Sequence, residues 1–333
     1  MPNKEKTNID IIIPSKSPIY EVVNSLKAIS KQTILPNKVI IVNSFDSIEE
    51  DSKDLKDIVK NKFQLIIINC KNTFPGHARN IGLENVTSNY VAFLDIKTLP
   101  HENWLKTNLF LLQQQQKDIC WGRTVFMAKT KFQKVFVDTF FGRLPSKTLP
   151  GSLMTLNAIK SSGIFLSWVR AAEDTEWINR VSLLRLKTTF PEKETISYTG
   201  FTKFRLQDFI NRWRRNYLSA RVLPHFDKEK NFVFKTILFL AIVIVALNWN
   251  PFLAGWNQES LLYISHVTKF VVAFPILVYL FYRGIFLPFK RKVPVSSIFP
   301  IRFIFIILVG LIGDFIKVTT LYIPHRVRKN KVK

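Results

Sequence analysis

Acidic residues are scarce in this chain: 24 Asp and Glu stand against 48 Lys and Arg, a formal net charge of +24 over 333 residues. Sulfur is scarcer, with two cysteines and three methionines. Cys70 and Cys120 lie in apolar runs without a CxxC partner, which excludes a disulfide scaffold or a cysteine zinc site and reads as two reduced core thiols. Neither GxGxxG nor GxxxxGKS/T occurs at a strand-helix turn, so a dinucleotide fingerprint and a P-loop are excluded. The opening residues, MPNKEKTNID, lack the apolar core of a secretory signal, and the soluble part is expected to stay in the cytoplasm.

The excess cations are clustered. Residues 201–230 carry eight Lys or Arg against three acids, 283–292 four against none, and 325–333 five against none. All three clusters flank apolar stretches, a placement that suits anionic lipid headgroups. No zinc-finger, RNP or helix-turn-helix signature accompanies them, so nucleic acid is not an expected partner.

What the first 200 residues do contain is alternation. Residues 9–13 are an apolar run stopping at Pro14 and Ser15, and 18–31 place Val22, Val23, Leu26 and Ile29 at helical spacing. Residues 38–42 and 65–69 read as further strands, with a charged helix or loop over 46–62. Phe74-Pro75-Gly76 opens a predicted helix over 77–85. The run 90–95, YVAFLD, then ends abruptly in one carboxylate, Asp95. A strand over 119–127 follows, and the Gly/Pro-punctuated stretch 138–164 reads as loop. Strands alternating with helices at this spacing predict an α/β fold with a mostly parallel sheet and helices on both faces. Ligands bind outside the C-terminal ends of such strands, which gives Asp95 a binding role beside the plainer one of capping the turn before Pro100. Glu173 and Asp174 sit together at a predicted helix start, where acids favour the helix dipole in any case.

The order IDIIIPSKS, KVIIVNSFDS, GHARNIGL, YVAFLDIK, AAEDTEW over residues 8–220 resembles the inverting GT-A glycosyltransferases of family 2. The resemblance implies a Rossmann-like, nucleotide-sugar-binding domain whose strand ends cradle the donor. Pro14 and Ser15 then match the loop beside the nucleobase and ribose. Asn43 stands where the family usually has an Asp contacting the base. His77, Arg79 and Asn80 match the ARNxG helix that shapes the nucleotide pocket. Asp95 matches the first carboxylate of the family's DxD motif, but the third position is Lys97. A lysine cannot ligate a cation and brings its own charge. Either Lys97 neutralises the leaving diphosphate in metal-independent transfer, or Mn²⁺ or Mg²⁺ stays on Asp95 with another residue such as His101, or the site is degenerate. The family's catalytic base corresponds to Asp174, with Glu173 positioning the acceptor or the base, and Trp168 and Arg170 on the acceptor side. Arg212-Trp213 resembles the RW of the processive synthases' QxxRW, with Phe209 at the Gln position.

Beyond residue 200 the pattern changes. Leu206, Phe209, Ile210, Trp213, Tyr217 and Ala220 recur at helical steps while Arg205, Arg212, Arg214 and Arg215 fall off that stripe, as in a helix at a membrane interface. The domains expected are a GT-A domain over 1–200, an interfacial helix and linker over 201–231, and a membrane region over 232–333. That region holds a hairpin of spans near 232–256 and 262–287, a third apolar helix over 298–323 in the membrane plane, and a basic tail. Cations flanking the hairpin place both its ends in the cytoplasm. The expected protein is a multi-pass enzyme of the inner membrane. It transfers a sugar from a nucleotide-sugar to a hydroxyl of a membrane-associated glycan or lipid-linked acceptor. A polyprenyl-phosphate acceptor and a catalytically silent membrane scaffold are the alternatives.

Overall fold

The computed structural model describes residues 8–46, 48, 53–223, 234, 241, 248–265 and 269–322. The chain divides into two compact units. Among the described residues, one takes those up to Gln133 together with Leu144–Asp208, the other Lys134–Arg143 and those from Phe209 onward.

In the first unit, β1 (Ile9–Ser15), β2 (Lys38–Asn43), β3 (Gln64–Asn69) and β4 (Tyr90–Phe93) form a parallel half-sheet in the order β3-β2-β1-β4. Their near-continuous apolar runs follow from burial on both faces. Successive side chains alternate between two cores: Ile9, Ile11 and Ile13 pack with Val22, Leu26 and Ile29 of α1 (Ile19–Ile29), whereas Ile12, Ile40 and Val42 pack with Ala78 of α3 (Pro75–Glu84). Leu55 of α2 (Lys53–Val59) joins the first core.

The sheet continues through β5 (Thr98–Pro100), β6 (Ile119–Phe126), β7 (Ser146–Thr155), β8 (Thr188–Thr189) and β9 (Ile196–Tyr198). β7 runs antiparallel to both β4 and β6. The expectation of loop over 138–164 is therefore wrong: β7 is a ten-residue central strand, followed by α6 (Leu156–Ser162). Pro150 and Gly151 read as a turn but lie in a bulge, where the register jumps between Cys120 and Gly122. Gly151 has φ +85°, and a Cβ on Gly122 would come within 2.1 Å of the Pro150 carbonyl oxygen, so these glycines let two backbones meet inside the sheet. α4 (Trp104–Gln114) and α7 (Glu173–Leu183) complete the unit.

The second unit is helical. It contains the end of α5 (Lys131–Phe140), most of α8 (Leu206–Ala220), a helix Lys269–Phe281 that continues through a π-helical turn Tyr282–Phe286 to Leu287–Lys290, and the helix Arg302–Tyr322. Phe136, Phe140, Phe209 and Trp213 form one aromatic cluster with centroids 5.1–5.4 Å apart. The buried Asp138 carboxylate lies 2.7 Å from Arg302 and 3.3 Å from Arg143, so two cations balance one desolvated charge. Among the described residues, Ala273–Lys290 and Arg302–Thr320 are long and apolar enough to cross a membrane. The first expected span, near 232–256, and the basic tail lie largely or wholly outside the described residues.

Candidate active site

Three parallel strands deliver their C-terminal ends to one edge of the first unit: β1 ends at Ser15, β2 at Asn43, and β4 leads two residues on to Asp95. Ser15 is buried and, among the described residues, its hydroxyl has no hydrogen-bond partner, while its carbonyl accepts from the Ser44 amide at 2.8 Å. Asn43 is engaged within the protein. Its amide nitrogen donates to the Asp46 carbonyl at 2.7 Å and to Asn69 Oδ1 at 3.0 Å, and Asn69 in turn exchanges two hydrogen bonds with the Ile48 backbone. The Asn43-Asn69 pair thus fastens the loop that leaves β2.

α3 begins with Pro75 at its first turn, where a missing N–H costs nothing. Gly76 permits the next contact: a Cβ there would lie 2.2 Å from the Leu166 carbonyl oxygen and 3.2 Å from Glu173 Cγ. This close approach brings α3 against the start of α7. Arg79, one turn on, is buried and bridges two elements, with Nη2 donating to Asp95 Oδ1 at 3.0 Å and Nη1 to Glu173 Oε1 at 2.7 Å. Its neighbour Asn80 exchanges hydrogen bonds with the Phe165 backbone, 2.9 Å each way. Pro14 and His77 are half-buried at the same edge.

The loop between α6 and α7 is tied down along its length. Arg180 donates to the Ser162 and Ile164 carbonyls, Trp177 Nε1 donates to the Gly163 carbonyl, and the Phe165 ring stacks on Trp177 with centroids 5.0 Å apart. Trp168 is left half-exposed, and Arg170 lies with its guanidinium 5.9 Å from the Phe74 ring at the start of α3. Ala172 closes the loop with φ +68°, a left-handed conformation that costs an L-residue about 1–2 kcal/mol and that turns the chain into Glu173 and Asp174.

The two acids face different surroundings. Glu173 is buried, and burial pushes its carboxyl up to about 7, with Arg79 opposing and Asp174 adding to the rise. Burial works against the Arg79 charge, but Asp95, Glu173 and Asp174 together raise its pKa. Asp174 is half-exposed, and its recorded hydrogen bonds come from its neighbour Thr175. An acid that holds its proton more tightly when folded than when unfolded loses stability as it ionises. The wild type should therefore lose up to about 3 kcal/mol relative to Glu173→Gln as pH rises from 4.5 to 7. Melting temperatures of both proteins at pH 5 and pH 8 test this; a constant difference between them contradicts it.

Lys97 lies 3.7 Å from Glu21, and its carbonyl accepts hydrogen bonds from the amide and hydroxyl of Thr199. His101 pairs with Ser197 at 3.0 Å. Among the described residues, no three His, Cys, Asp or Glu side chains form a group able to hold a metal ion. The structure brings Arg79, Asp95, Glu173 and, through electrostatics, Asp174 together. Arg212 and Trp213 lie in the second unit, where packing against Phe136, Phe140 and Phe209 accounts for the Trp213 ring. Sequence reasoning missed Phe165 and Arg180, which secure the loop, and Thr98, whose hydroxyl accepts from the Asp95 amide and donates to its carbonyl. The spacing DxxT was a readable sign of Thr98; nothing local marked the other two.

The family model for glycosyl transferase family 2 matches residues 10–175. An uncharacterized glycosyltransferase of Rickettsia conorii is 28% identical over 108 residues, 32% of this chain and 18% of that protein. One from Rickettsia bellii is 29% identical over 106 residues, 32% of this chain and 15% of that protein. The chain thus spans less than a fifth of these curated relatives. Among solved structures, a mannosyltransferase of Pyrobaculum calidifontis, in complex with GDP-Man and Mn²⁺, superposes with a TM-score of 0.51 at 12% identity, covering 96% of this chain and 88% of that one. This likeness is one of fold.

Proposed function

Residues 10–175 belong to glycosyl transferase family 2, and on that premise we propose that the chain moves a sugar from a nucleotide-sugar donor to a hydroxyl acceptor with inversion, at a membrane. The observation that carries the reading is Arg79, which ties the strand-end carboxylate Asp95 to the acids opening α7. Asp95 is partly exposed, so it can accept hydrogen bonds from donor hydroxyls while Arg79 balances its charge. The unpartnered Ser15 hydroxyl is a further polar group for the nucleotide side. Asp174 takes the proton of the acceptor hydroxyl as its oxygen bonds to the anomeric carbon. The bond from that carbon to the nucleoside diphosphate breaks on the opposite face, which inverts the configuration.

The residues present do not fit a resident divalent ion. Asp95 carries Arg79 on one oxygen, Lys97 replaces a second carboxylate, and His101 is engaged with Ser197. Charge on the leaving diphosphate is instead offset by Lys97. Lys97→Ala should lower turnover by about 100-fold or more, and wild-type activity should survive EDTA. Full activity in Lys97→Ala, or wild-type activity lost in EDTA and restored by Mn²⁺, overturns this step. Exposed Phe274, Leu277 and Phe281 on one helix and Phe305, Leu308 and Phe315 on the other support a membrane setting, and the flanking basic clusters support its cytoplasmic face.

A further inference from the structure

β6 and β7 carry an arrangement that the donor chemistry does not use. Arg123 and Lys147 are direct cross-strand partners in this antiparallel pair. Like charges placed opposite each other destabilise a sheet, and among the described residues neither cation has an ion-pair partner. Glu192 and Glu194, exposed in the approach to β9, do not pair with them. The neighbouring hydroxyls Thr124 and Thr148, by contrast, satisfy each other at 2.6 Å.

Unsatisfied donors accumulate around the two cations. Among the described residues, Arg123 Nε is buried without a hydrogen-bond partner, as are the indole N–H of Trp121 and the hydroxyl of Thr195, whose amide donates to the Arg123 carbonyl. Burying donors without acceptors costs about 1–3 kcal/mol each. Aromatic rings flank the row: Lys147 Nζ lies 4.7 Å from the Trp121 ring centroid, and the Arg123 guanidinium 4.9 Å from that of the half-exposed Phe190. Trp121 in turn packs edge-on against Trp177, one turn into the helix that opens with Glu173 and Asp174. Ala92 of β4 pairs with Leu153. From that level β4 leads forward to Asp95, and β7, antiparallel to it, leads back to Lys147 in the same direction, which places the cations about 10 Å farther along the sheet than Asp95.

We propose that Thr195, Arg123 and Lys147, walled by Trp121 and Phe190, form an anion subsite that takes a phosphate group of the acceptor. This rests on the transferase reading for the word acceptor, although the anion site itself does not. A phosphate brings acceptor oxygens to the Arg123 guanidinium, the Lys147 ammonium and the Thr195 hydroxyl and offsets the repulsion between the paired cations. Its offset of about 10 Å along the sheet from Asp95 suits a phosphate one sugar-sized unit from the reacting sugar.

The test is direct binding without any sugar nucleotide, read by tryptophan fluorescence and calorimetry on the full chain. The probes are glycerol 3-phosphate, a phosphate monoester, and glycerophosphoglycerol, a phosphodiester, with glycerol as the neutral control. Saturable binding of either phosphate probe, weakened at least tenfold in Lys147→Gln and in Arg123→Gln/Lys147→Gln but not in Lys106→Gln on the exposed face of α4, supports the site. The tighter probe identifies a lipid-type monoester or a polymer-type diester as the source. Circular dichroism confirms folding, and Lys147→Gln alone gives the result should the double variant not fold. Absence of binding, or equal binding by the Lys147→Gln variant, overturns the proposal. Should phosphate bind while no nucleotide does, the transferase reading fails and the anion site stands.

Discussion

Asp174→Asn lowers the rate of sugar transfer about 100- to 10 000-fold and leaves nucleotide affinity unchanged, because a general base acts only as the acceptor proton moves. The asymmetry between the adjacent acids makes the expectation specific. Glu173 is buried against Arg79, whereas Asp174 keeps a half-exposed carboxylate at the first turn of α7. Steady-state kinetics with saturating donor measure the effect. Retained turnover in Asp174→Asn would mean that the acceptor oxygen is already an anion, as in a polyprenyl phosphate, and needs no base.

Arg79→Met has the largest expected effect on stability. It leaves Glu173 buried without its cation and removes the partner of Asp95, and breaking a buried pair from one side costs about 3–5 kcal/mol. For a domain of this size the melting temperature should fall by roughly 10 °C. Nucleotide binding should be lost as well, since Arg79 places Asp95. Arg79→Lys tests whether charge alone suffices: a single ammonium cannot reproduce the forked contact with two carboxylates, so only part of the stability returns. A melting temperature within a degree or two of wild type in Arg79→Met contradicts the bridging role.

The parallel half of the sheet was legible because β1, β2 and β4 are buried on both faces and announce themselves as apolar runs. Asp95 stood out as the one carboxylate ending such a run, and the ordered motifs singled out Arg79 and Asp174 as candidates. β7 was not legible. Pro150 and Gly151 are turn residues by composition, and only the facing Gly122, 28 residues earlier, shows that they belong to a bulge. The hold of Asn80 on Phe165 spans 85 residues and leaves no local pattern. The pairing of Arg123 with Lys147 depends on strand register, which composition does not carry. Asn43 was marked by its motif position, but the hydrogen bonds of its amide to the Asp46 carbonyl and to Asn69, 26 residues away, left no sign in the sequence.

The central claim is a working donor site at the C-terminal ends of β1, β2 and β4. Calorimetric titration of the detergent-solubilised full chain with UDP, GDP, dTDP and CMP, each with Mn²⁺ and with EDTA, tests it most directly. The account predicts that one nucleotide binds tightly, that its binding survives EDTA, and that Arg79→Met abolishes it. Binding of none of the four under either condition would contradict the account.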